Sequence, residues 1–134
     1  MAFTTTGRDY LAAATIGGDT ATAGQALTTY NTANAALGVG DSATVFAVAQ
    51  NDLVASPNKL RKGMQATYPS VAANVITFQS VFQGSEANWV WAEVGVFNAA
   101  TAATGTMLAR VVSGLGTKAF PAIWTITHSL TYSV

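Results

Sequence analysis

The sequence contains no cysteine, which removes a disulfide framework, a thiolate nucleophile and any Cys-based metal site from consideration. It is also poor in charge, with only 9% Asp, Glu, Lys and Arg, where about 25% is ordinary. Lys plus Arg number 6 and Asp plus Glu number 6, so neither sign is in surplus for binding nucleic acid or an anionic membrane. A single histidine without cysteine makes a metal centre improbable. No basic leader precedes an apolar run at the N-terminus, and no stretch approaches the roughly 18 consecutive apolar residues of a membrane span. Synthesis and retention in the cytoplasm are therefore expected, until something carries the protein out.

The place of charge is taken by Ala, Val, Thr, Ser, Asn and Gly. The hydrophobic fraction is 50%, the mean hydropathy +0.33 and the net charge zero, a combination that favours association over solitary solubility. Much of the surface is expected to be covered by other subunits. The length of 134 residues suits one domain with its own core.

Thr6-Gly7-Arg8-Asp9 has the spacing of a capping box, so a helix is expected over Gly7 to Ile16, ended by Gly17-Gly18. Asp19 to Asn34 has no sustained period and reads as an irregular arm. Ala35 to Val39 reads as a brief strand. Gly38-Val39-Gly40-Asp41-Ser42 matches neither a dinucleotide nor a Walker fingerprint, and Asp41 with Asp52 lacks the alternating ligands of a calcium loop. A second short helix is expected after it, with Val45, Val48, Ala49 and Leu53 at helical spacing.

From Lys59 the period becomes two, which predicts a strand with Leu60, Met64, Ala66 and Tyr68 on one face. Pro69 to Ala73 reads as a connection. Asn74 to Ala99 holds two β-branched and aromatic runs around Gly84-Ser85-Glu86-Ala87, the pattern of two antiparallel strands in one hairpin. Its return strand alternates Val90, Ala92, Val94 and Val96 against Trp89, Trp91, Glu93, Gly95 and Phe97, apolar on both sides except for Glu93. Such a strand is central and covered on both faces. Glu93 needs a partner there: as an acid it would be catalytic, as a structural anchor it would pair with Arg61 or Arg110. Met107 to Val112 predicts a short strand, Ser113 to Thr117 a flexible loop. Trp124 to Val134 alternates cleanly, with His128 on the apolar side. Together these elements predict a mainly β chain: an antiparallel, jelly-roll-like β-sandwich with two short helices in its N-terminal half. It forms a single domain over 1–134, with helix and arm at 1–34 and sandwich at 35–134.

The order of a capped helix, LGVGDSAT, DL, LRKGM, NVITFQSVF, EANWVWAEVGVFNA, GTMLARVV, a Lys and a final alternating strand resembles small tailed-bacteriophage virion proteins. It is similar also to the N-terminal attachment domain of phage tail-fibre and collar proteins. The resemblance implies a virion structural protein without catalytic, cofactor or metal residues. Fibre proteins continue into a long shaft, whereas this sequence ends at Val134, which favours a capsid decoration or cement protein on the head shell. The expected partners are itself, as a homotrimer, and the major capsid protein or other virion proteins. A tail-fibre or collar adaptor, or a carbohydrate-binding virion protein using Trp89 or Trp91 as interface aromatics, is the alternative. A hydrolase would instead need Glu93 and His128 to converge in a pocket.

Overall fold

The computed structural model describes residues 2–15 and 28–132. Most of the Asp19 to Asn34 arm, the Gly17-Gly18 stop and the last two residues lie outside them. The protein is mainly β, with two antiparallel sheets and one helix among the described residues. The elements are β1 (Ala2–Phe3), α1 (Thr5–Thr15), β2 (Ala36–Gly40), β3 (Lys59–Gly63), β4 (Ser70–Ala72), β5 (Val75–Phe82), β6 (Val90–Phe97), β7 (Met107–Thr117) and β8 (Trp124–Thr131). A five-stranded sheet runs β1-β7-β6-β2-β3 and a three-stranded sheet runs β4-β5-β8.

The two sheets share one core. Leu37, Val39, Val94, Val96 and Ala109 from the larger sheet meet Phe78, Phe82 and Leu130 from the smaller, the packing of a β-sandwich. Helix α1 begins two residues earlier than the capping-box spacing implies. The cap is Thr4, not Thr6, whose Oγ1 accepts the Gly7 amide at 2.9 Å and donates to the Met107 carbonyl at 2.6 Å. One hydroxyl thus caps the helix and ties it to β7.

The two runs of the predicted hairpin do form strands, but not a hairpin. β5 lies between β4 and β8, and β6 between β7 and β2. The loop after β5 crosses from one sheet to the other, so the runs face each other across the core, with Phe82 edge-on to Trp91 at 4.9 Å. Strands that are apolar on both sides satisfy this arrangement as well as they satisfy pairing. Ser70 to Ala72, expected as a connection, pairs with β5 as an edge strand. β7 continues as strand through the expected loop to Thr117.

The second helix does not form. Residues 41–58 run without helix or strand as a strap over the outer face of the larger sheet, where Leu53 joins Ala36, Phe97 and Met107 in a second small core. Two of the positions that suggested a helix stay in solvent, Val45 at 82% and Val48 at 49% exposure. The bed beneath the strap is glycine. Gly38 and Gly95 are cross-strand partners, and a Cβ on either would lie 2.8 Å from the Phe97 ring, so only glycine lets Phe97 and Leu53 settle there.

Candidate functional site

Glu93 sits on the strap side of β6, and its side chain is fully buried, as is that of Arg110 on the neighbouring strand β7. Arg110 Nε donates to Glu93 Oε2 at 2.6 Å. The amides of Val54 and Ala55 donate to the same carboxylate at 3.1 and 2.8 Å. Arg110 spends its remaining arms on Gln50 Oε1 and the Thr44 carbonyl, both at 3.0 Å. A buried charge pair is tolerable when its hydrogen bonds are made, and here they are made by the strap. This also accounts for the missing helix: the amides of Val54 and Ala55 have a charged acceptor from another strand, stronger than a helical carbonyl.

Of the two cations considered for Glu93, Arg110 is the one that meets it; Arg61 does not. Arg61 projects to the rim of the strap, where Nη2 donates to Asp52 Oδ1 at 2.9 Å. Nη1 donates to the carbonyls of Ala99, Thr101 and Thr104 at 3.2, 3.1 and 2.7 Å, and the guanidinium lies 3.6 Å over the Phe97 ring. Lys59 Nζ reaches Asp52 Oδ2 at 2.8 Å. Burial opposes ionisation of Asp52, but the bonds from Lys59, Arg61 and the Leu53 amide outweigh it and lower its pKa. Two shallow cavities flank this pair, one of about 120 Å³ floored by Leu53 and Leu60 and one of about 220 Å³ bordered by Asn51 and Thr104. Both Nη1 and Nη2 of Arg61 are already engaged within the chain.

Trp91 is not an interface residue. A register irregularity between Trp91 and Glu93 breaks the alternation of β6. It leaves Trp91 in the sandwich core at 2% exposure, packed on Phe82 and Trp124 with its indole N–H donating to the Ala87 carbonyl at 2.9 Å. Trp89 is half-buried against the same core. His128 faces the interior from β8, with Nε2 buried and unbonded, and burial lowers its pKa. It shares no pocket with Glu93, which lies beyond the larger sheet. Among the described residues no cluster of His, Asp and Glu could hold a metal ion.

Two features had no clear warning in the sequence. Lys118 is 1% exposed and donates to the Gln83 carbonyl at 2.7 Å and to Asn88 Oδ1 at 2.9 Å, fixing the crossing loop; its only signal was a lone charge in an apolar, glycine-rich run. Phe120 and Ile123 stand in solvent at 73% and 61% exposure. The second feature concerns the smaller sheet: β4, β5 and β8 contain no Asp, Glu, Lys or Arg. Its outer face is uncharged: beside Val75 and Val81 runs a polar row in which Thr77 meets Ser129 at 3.2 Å and Gln79 meets Thr127 at 3.0 Å. No protein-family description, characterised protein or solved structure matches the chain.

Proposed function

We propose that this protein is a structural component of a tailed-bacteriophage particle, a capsid decoration or cement protein that binds the head shell and stabilises it. The observation that carries the reading is the charge-free smaller sheet. Such a face can be laid against another protein without stranding a charge. The order of sequence motifs, similar to that of small virion proteins, supplies the phage context. The mechanism is mechanical: each subunit straddles neighbouring capsid subunits and opposes the outward pressure of packaged DNA. Repetition around symmetric sites lets modest contacts add through avidity. In this reading the Glu93–Arg110 pair is a structural anchor, holding the strap so that the subunit carries load as one body.

Labelled protein imaged on intact particles tests the proposal. Label distributed over the shell, with particles that survive heating better than undecorated ones, is the expected result. Label confined to one vertex or the tail would move the protein to the adaptor class, for which exposed Phe120 is a better contact aromatic than Trp89 or Trp91. Protein that binds no particle would overturn the reading.

A further inference from the structure

The sheet edges of this molecule are unequally protected. A free edge invites pairing with another chain unless it is short, charged, bulged or interrupted. β1 is only 2 residues long and β4 only 3, the latter just after Pro69. β3 carries Lys59, Arg61 and Lys62. β7 beyond Arg110, where β1 stops covering it, carries Gly114, Gly116 and a register irregularity. β8 has none of these devices. It is 8 residues long, WTITHSLT, without proline, glycine or formal charge, and pairs with β5 in unbroken register from Trp124 to Thr131. Among the described residues no strand takes its other edge.

We infer that the free edge of β8 pairs antiparallel with β8 of a second copy, joining two three-stranded sheets into one continuous sheet about a two-fold axis. The strand's own alternation fits this occupant. With Thr127 opposite Thr127 of the second copy, Thr125 falls opposite Ser129, Ile126 opposite His128 and Trp124 opposite Leu130. Every hydroxyl-bearing residue then stays on the outer face, and Trp124, Ile126, His128 and Leu130 stay on the inner face. No like charges meet, because the strand has none. A two-fold contact of this kind is isologous and closed, and it does not depend on the capsid reading. It differs from the homotrimer that the family resemblance implies, and a mass measurement separates them.

The test places charge on the axis. Thr127 is exposed, so Thr127→Lys and Thr127→Glu are expected to fold, which a thermal melt checks. Light scattering after size exclusion should find the unaltered protein as a dimer and each variant alone as a monomer, because like charges then face each other across the pair. An equal mixture of the two variants should recover the dimer as a Lys–Glu heterodimer. A wild-type monomer, a trimer, or a dimer that survives Thr127→Lys would each overturn the inference, whatever the labelled particles show.

Discussion

Glu93 and Arg110 are the two residues on which the most depends, because each is buried and each satisfies the other. Removing one charge strands its partner, so Glu93→Gln or Arg110→Met should cost about 3–5 kcal/mol in denaturant unfolding. The double variant should cost clearly less than the sum. Arg61→Ala combined with Glu93→Gln should deviate from additivity less than the Arg110 pair does. Equal coupling of Arg61 and Arg110 to Glu93 would contradict the pairing. His128 makes a different prediction. Its folded pKa lies below the ordinary 6.5 because burial disfavours the charged form, so the unfolded chain binds the proton more readily. Stability is therefore full above 6.5 and falls as pH drops through that value toward the lowered one. Melting temperatures between about pH 7 and 5 should show this decline, and His128→Leu should flatten it.

At the scale of elements, the strap shows how far sequence reasoning reached. Strands β2, β5, β6 and β8 were legible because β-branched and aromatic residues alternate there or run continuously apolar. The partner of each strand was not, since Val94 or Phe78 is equally content beside a neighbour or across a core. Glu93 was legible as the one polar residue on an apolar strand, and Arg110 as one of two possible cations. The strap was misread as a helix because Val45, Val48 and Leu53 keep helical spacing, while the acceptor that unwinds it belongs to a strand 38 residues further on. The turn of Trp91 into the core was hidden for a related reason, since a register irregularity leaves no trace in an alternation pattern. One expectation belongs to this element. The amides of Val54 and Ala55 should exchange slowly with solvent despite lying outside any helix or ladder, and Glu93→Gln should speed them selectively. Gly38→Ala should also loosen the strap by lifting Phe97, at a cost of about 1–3 kcal/mol.

For the whole molecule, charge and its absence are divided between the two sheets. The described ion pairs, Asp52 with Lys59 and Arg61, Lys62 with Glu86, and Glu93 with Arg110, all lie outside the β4-β5-β8 sheet. Self-association through β8 should therefore change little as salt is raised, since β8 itself carries no Asp, Glu, Lys or Arg for ions to screen. A mass that falls steeply with salt would point to a different contact. The anchored strap also dictates an order of events. Glu93 and Arg110 come together only when β6 has paired with β7 in the register that sets Gly95 opposite Arg110, and only then does a carboxylate stand ready for the amides of Val54 and Ala55. The strap is thus expected to acquire these contacts only after β6 and β7 have paired. Substitutions at Leu53 should leave the refolding rate nearly untouched and act almost wholly by hastening unfolding.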